Sequence, residues 1–280
     1  MGDTSWSRPE KFAIEAYKRG YFTMNPFERF RFPGAFGDEL DARLDLPAEG
    51  EASKAAIFAH CFTCGKNLNA VRHLAESLNA AGIAVLRFDF TGLGGSGGDF
   101  ANTNFSSNVE DLVRAVQHLE RERGLVPRLL IGHSLGGAAA LRAALQLPSI
   151  RAVVTIGAPF EPDHVVHNFS CALSQIEAEG EAEVELGSRR FTIRQQFLDD
   201  VRAQAADQGA SIAALKRPLL VMHAPLDQTV GIEAASSIFL AAKHPKSFVS
   251  LDGADHLLSR NVDAHQVGSL IAAWASPYLA

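Results

Sequence analysis

Ser134 stands between Gly132 and Gly136 in the stretch LLIGHSLGGAAALRAAL, where an apolar strand-like run gives way to an alanine-rich one. The local pattern is G-x-S-x-G, in the setting of a strand that turns sharply into a helix. A turn this tight holds the serine in strained backbone geometry and leaves room only for hydrogen at the flanking positions. The hydroxyl then projects from the sheet edge. The start of the following helix offers unpaired N–H groups and a partial positive charge, both suited to a developing oxyanion. A serine hydroxyl is a weak nucleophile until a base removes its proton, and the base in turn needs an acid to orient it. In the chain order serine, acid, histidine, the residues that fit are Asp227, closing the strand-like run PLLVMHAPLD, and His256, in the loop after SFVSLDGADH. Both would emerge beside Ser134 at the carboxyl edge of a parallel sheet, where sites form in open α/β folds.

Other residues compete for these roles. Asp252 and Asp255 are acids, but both adjoin His256 in sequence, whereas Asp227 ends its own strand. His133 is the variable position of the elbow and reads as pointing away from the base. His223 lies within a strand, and His73, His118 and His265 fall on helical stretches as ordinary surface or core residues. His164 and His167 have helical spacing, yet no motif completes a metal site around them, so no metal is expected. The second oxyanion donor should come from the turn after the first strand of the alternating pattern, FAHCFTCGKN, making the candidate pair the backbone N–H groups of Phe62 and Leu135, with His60 bracing the turn. That turn also holds Cys61 and Cys64 as C-x-x-C, a redox spacing that lacks a thioredoxin-like surrounding. Gly92, Gly94 and Gly97 fit G-x-G-x-x-G, but DFANTNFSSN intervenes before the next helix, so the stretch reads as a flexible loop beside the site, with Asp89 as its anchor, and not as a nucleotide cradle. No cofactor is called for.

The elements that must position these residues follow a regular alternation. A hairpin over ERFRFPGAFGDELDARLDLP comes first; then apolar runs such as AAIFAH, IAVLRFDF, RLLIGHS, IRAVVTIGAP and PLLVMHAPLD alternate with helical stretches. Runs apolar on both faces and separated by helices indicate a mostly parallel sheet with helices on both faces, an α/β class. The alternation breaks over about 160–216, which reads as an inserted cap containing a hairpin that turns at Gly187 and Ser188. Within it Phe169, Leu173, Phe191 and Phe197 could line an acyl pocket, the default being that they form the cap's own core. Residues 1–27 stand apart as an arm with one short helix, either loosely docked or a translated leader before Met24, or else a contact for a second copy in a homo-oligomer; 28–280 form the main domain.

Composition bounds the rest. A chain of 280 residues, 47% hydrophobic, can bury a large core. Its net charge of −6, without long blocks of like charge, gives no footprint for nucleic acid. No run approaches the ~20 apolar residues of a membrane span. Three cysteines and an opening MGDTSWSRPEKF without an apolar signal core point to a reducing, cytoplasmic setting without a disulfide framework.

These residues resemble the α/β-hydrolase superfamily over about 28–280. More closely, AHCFTCGKN, LRFDFTGLGGSGGDFANTNFSSNVEDL, LIGHSLGGAA, VVTIGAPFEPDHV and HPKSFVSLDGADHLLS are similar to the hydrolase half of bacterial proteins in which such a domain precedes an OsmC-type peroxide-reductase domain. The chain ends at WASPYLA, directly after its last helical stretch, which fits either a stand-alone member or a hydrolase half parted from that domain. The resemblance implies an α/β-hydrolase fold and a serine hydrolase with Ser134, Asp227 and His256 as its triad. The expected activity is hydrolysis of small carboxylic esters with short to medium acyl chains. A thioesterase or acyltransferase would use the same residues, and a non-catalytic partner of a redox domain is the alternative of another class.

Overall fold

The computed structural model describes residues 26–49, 52–186 and 189–279. The arm helix and the turn residues Gly187 and Ser188 lie outside them. Each apolar run of the sequence becomes a strand: β1 (Phe27–Pro33), β2 (Glu39–Asp45), β3 (Lys54–Ala59), β4 (Ile83–Phe88), β5 (Pro127–His133), β6 (Ala152–Ile156), β9 (Leu219–His223) and β10 (Lys246–Ser250). They form one sheet in the order β1-β2-β4-β3-β5-β6-β9-β10. β2 runs antiparallel to both its neighbours, and every other neighbouring pair is parallel.

Alternating side chains explain why these runs need cover on both faces. On β3, Ile57 belongs to one core, with α2 (Phe105–Glu122) and α3 (Leu135–Gln146). Its neighbours Ala56 and Phe58 belong to the other, with α1 (Asn69–Ala80) and α7 (Asn261–Ala275). Local chemistry sets the helix starts. At α2, Asn104 Oδ1 accepts from Ser107 N at 2.8 Å, while Ser107 Oγ accepts from Asn104 N at 2.9 Å, so two N–H groups that a helix start leaves orphaned are satisfied reciprocally.

Between β6 and β9 the chain leaves the sheet. It forms a 3-10 stretch (Pro162–Ala172), α4 (Leu173–Glu179), an antiparallel pair β7 (Glu181–Leu186) and β8 (Arg189–Arg194), and α5 (Gln195–Ala214). Phe169 and Phe197 are fully buried, but not within this segment alone. Both pack on Phe62, with ring centroids 6.3 and 5.3 Å away, and Phe191 reaches Phe100 at 4.7 Å. These aromatics therefore join the insertion to the turn after β3 and to the segment after β4. Finally, α6 (Ile232–Ala241) connects β9 to β10. Among the described residues no helix is long and apolar enough to cross a membrane.

Candidate active site

Ser134 lies between the end of β5 and the start of α3 with φ 54° and ψ −129°, a left-handed conformation that costs a non-glycine residue about 1–3 kcal/mol. The strain is held by packing that only glycine permits. A Cβ on Gly132 would lie 2.5 Å from Gly137 Cα, and one on Gly136 would lie 2.5 Å from the Ala59 carbonyl oxygen at the end of β3. One on Gly137 would lie 2.5 Å from the Ala158 Cβ. Strand, helix and the turn after β3 thus meet at the serine, and Ser134 N donates to Ile156 O at 2.9 Å.

Asp227 and His256 come together from the ends of β9 and β10. His256 Nδ1 donates to Asp227 Oδ2 at 2.7 Å, which leaves Nε2 as the nitrogen free to take a proton. Asp227 Oδ1 accepts from the backbone N–H groups of Thr229 at 2.8 Å and Val230 at 2.9 Å. Burial by itself would raise the Asp227 carboxyl, but the His256 hydrogen bond and the two backbone donors outweigh it and hold the group below its ordinary value. His223 supports the same loop by donating from Nε2 to Val230 O at 2.8 Å. The rival acids are occupied elsewhere: Asp252 accepts from Ser250 Oγ at 2.5 Å and Asp255 from Ser259 N at 2.8 Å, both exposed.

Phe62 and Leu135 meet beside the elbow, where they line a void of about 10 Å³ with His60, Phe90 and Leu93. Among the described residues neither backbone N–H has an acceptor in the protein. His60 donates from Nδ1 to Cys61 O at 2.8 Å, and burial lowers its pKa, so the ring braces the turn in its neutral form.

Three expectations need correction. His133 does not point away from the base: its Nε2 donates to the His256 carbonyl oxygen at 2.7 Å and its ring lies 4.9 Å from the His256 ring. Burial first, then the neighbouring His256, pushes the His133 pKa down to about 4. The glycine-rich stretch is not a loose loop. It wraps around Asp89, whose carboxylate accepts from Lys66 N at 2.7 Å, Lys66 Nζ at 2.5 Å and Gly95 N at 2.9 Å, while Gly92 N donates to Gly97 O at 2.8 Å. Third, Cys61 and Cys64 form a disulfide across a turn that brings their Cα atoms to 5.3 Å, well inside the range a bridge requires. Cys171 is free. Arg189 of β8 donates to Thr63 O, so the insertion also holds this turn.

One further residue carried no sequence signal. Gly157, at φ 55°, sits under the histidine–acid pair, and a Cβ there would lie 3.3 Å from His256 Nδ1 and 3.4 Å from Asp227 Oδ2. Its place directly after a strand that faces β5 is the only hint the sequence offers.

Comparison with known proteins gives the family. The esterase domain of a Rhodothermus marinus protein is 45% identical and superposes with a TM-score of 0.73, the match covering 91% of this chain and all of that one. The chain belongs to the α/β-hydrolase superfamily. The hydrolase also matches the family model described as serine aminopeptidase, S33, over residues 51–181. It is 25% identical over 209 residues to the mouse palmitoyl-protein thioesterase ABHD10, mitochondrial, a match spanning 71% of this chain and 68% of the mouse protein. Matches to the rat and bovine proteins of that name span 38% and 37% of their lengths. Est1E from Butyrivibrio proteoclasticus, in a ferulic acid complex, shares the fold at 19% identity and a TM-score of 0.72, covering 88% of this chain and 98% of its own.

Proposed function

We propose that the hydrolase is a serine carboxylesterase that cleaves esters of short to medium acyl chains through an acyl-enzyme. The observation that carries this reading is the 2.7 Å hydrogen bond from His256 Nδ1 to Asp227 Oδ2, tied through the His133–His256 carbonyl bond to the strand end where Ser134 is held at positive φ. In this reading Ser134 Oγ attacks the ester carbonyl while His256 Nε2 takes its proton. The oxyanion is received by the N–H groups of Phe62, in the turn after β3, and Leu135, at the start of α3. His256 then protonates the leaving alcohol, and water, activated by the same nitrogen, releases the acid. Asp227 keeps the imidazole in the tautomer that presents Nε2 as a base and stabilises its charged form.

The name of the R. marinus relative, an esterase domain, supports ester hydrolysis. Thioester hydrolysis is the second reading, favoured by the named activity of the mouse relative. The stretches AHCFTCGKN and TGLGGSGGDFANTNFSSN support placing the chain, within its superfamily, near the hydrolase halves of OsmC-type fusion proteins.

The test is a chain-length series of activated esters and the matching thioesters, run on wild type and Ser134→Ala, with fluorophosphonate labelling of both. The expected result is turnover that peaks at short to medium esters, label on wild type alone, and a kcat lower in the variant by on the order of 10³-fold. A variant that keeps a tenth of the wild-type kcat removes Ser134 from the mechanism. Faster turnover of a palmitoyl thioester than of any ester in the series replaces the first reading with the second.

A further inference from the structure

We propose that His73, Glu76 and His265 form a binding site for a divalent transition-metal ion of the zinc type, joining α1 to α7. His265 lies far in sequence from the neighbouring pair His73 and Glu76, yet the ligand atoms of all three fall within 4.8 Å of one another. His73 and Glu76 are one helical turn apart on α1, and His73 Nδ1 lies 2.9 Å from Glu76 Oε2. His265 comes from α7, with Nε2 3.8 Å from the same oxygen. A tetrahedral zinc ion with bonds of about 2.0–2.1 Å separates its ligand atoms by roughly 3.3 Å, a value between those two distances. Small side-chain adjustments would close the set. Two imidazoles with one carboxylate suit zinc, copper or nickel, and not the hard cations that take oxygen ligands alone.

The backbone holds the two sides of this site in register. At Gly268, one turn beyond His265, a Cβ would lie 2.7 Å from both Leu74 O and Ser77 Cβ, so α7 sits directly on α1. Ser77 Oγ lies 3.2 Å from His265 Nδ1 and 3.2 Å from His265 O. With Nδ1–H donating to that hydroxyl and the hydroxyl donating to the carbonyl, His265 Nε2 keeps its lone pair toward Glu76. Two acceptors then face each other across 3.8 Å, the arrangement a cation would bridge. An outer partner that fixes the tautomer in this way is the usual support of a metal-bound histidine. His73 is buried, while Glu76 and His265 remain open to solvent on one side, which leaves a position for water on the ion.

Arg72 opposes the ion. Its Nη2 donates to His73 Nε2 at 3.1 Å, which puts the imidazole proton on Nδ1, donating to Glu76. Metal at Nδ1 requires that proton to sit on Nε2 instead, and two donors cannot face each other there. Arg72 must swing out, which its half-exposed side chain permits.

The test is calorimetric titration of the chelator-treated full chain with Zn²⁺, and with Mg²⁺ as the hard-cation control. Thermal unfolding is followed in parallel. Wild type is expected to bind one Zn²⁺ and no Mg²⁺, with Tm rising by ~5 °C or more at saturating Zn²⁺. The exposed-site variant His265→Ala is expected to lose at least about tenfold in affinity, as is Glu76→Gln. Arg72→Gln should bind more tightly than wild type. A control pair, His164→Ala with His167→Ala, should bind as wild type does. The proposal is overturned by wild type that takes up no Zn²⁺, by affinity that survives His265→Ala, or by loss confined to the control pair. Unchanged affinity in Arg72→Gln overturns the placement of the ion on Nδ1.

Discussion

Acid is expected to destabilise the hydrolase through His133 as pH falls from 6.5 toward 4. The side chain is 5% exposed, and burial together with the adjacent His256 takes its pKa from 6.5 to about 4, despite the hydrogen bond it donates to the His256 carbonyl. In the unfolded chain the imidazole protonates near 6.5. The folded value therefore lies below the unfolded one, and between the two the unfolded state binds more protons. Stability from this residue is complete above pH 6.5 and is lost as pH falls toward 4. At about 1.36 kcal/mol per pH unit, the full loss is roughly 3 kcal/mol, a large share of the ~5–15 kcal/mol that typically holds a domain together. Urea unfolding at a series of pH values from 7 to 4, on wild type and His133→Gln, measures it. The glutamine can still donate an N–H toward the His256 carbonyl but carries no titrating group. The wild-type midpoint should fall more steeply with acid, and the two curves should converge. Parallel pH dependences across that window would refute the assignment.

Other outcomes follow from the same geometry. Asp227→Asn should lower kcat by on the order of 10³-fold or more, since an amide favours the wrong histidine tautomer, while Asp252→Asn, whose carboxylate serves Ser250, should leave it nearly unchanged; steady-state kinetics that rank the two the other way would move the acid to Asp252. His256→Ala should lower esterase kcat by on the order of 10³-fold or more, and a folded variant that keeps a tenth of the wild-type kcat contradicts its role as base. Cys61→Ser combined with Cys64→Ser should keep kcat within about tenfold, because the turn's contribution is the main-chain N–H of Phe62. A loss beyond a hundredfold in folded protein would show that the bridge itself sets the oxyanion donor.

The strand and helix framework was legible because each buried strand is a short apolar run separated from the next by a helical stretch, and because the parallel order leaves few places for the ends to go. The same logic put Asp227 and His256 at one sheet edge. What stayed hidden depends on contacts to backbone or across long separations. The partner of His133 is a carbonyl more than a hundred residues away, a group that has no side-chain signature. Gly157 is one glycine among 23, and its necessity appears only once His256 lies over it. The glycines after β4 look mobile in sequence because nothing there shows that Asp89 and Lys66 gather them. His73 and His265 each read as routine helix positions until α7 is laid on α1.

Phe169 and Phe197 pack as tilted rings on Phe62, so under the proposed mechanism the rings of the insertion hold the residue whose N–H meets the oxyanion. Trimming either ring would loosen Phe62 and so slow the chemical step. Retuning this hydrolase for a bulkier substrate thus calls for paired changes, one to open the insertion and another to re-anchor the turn after β3.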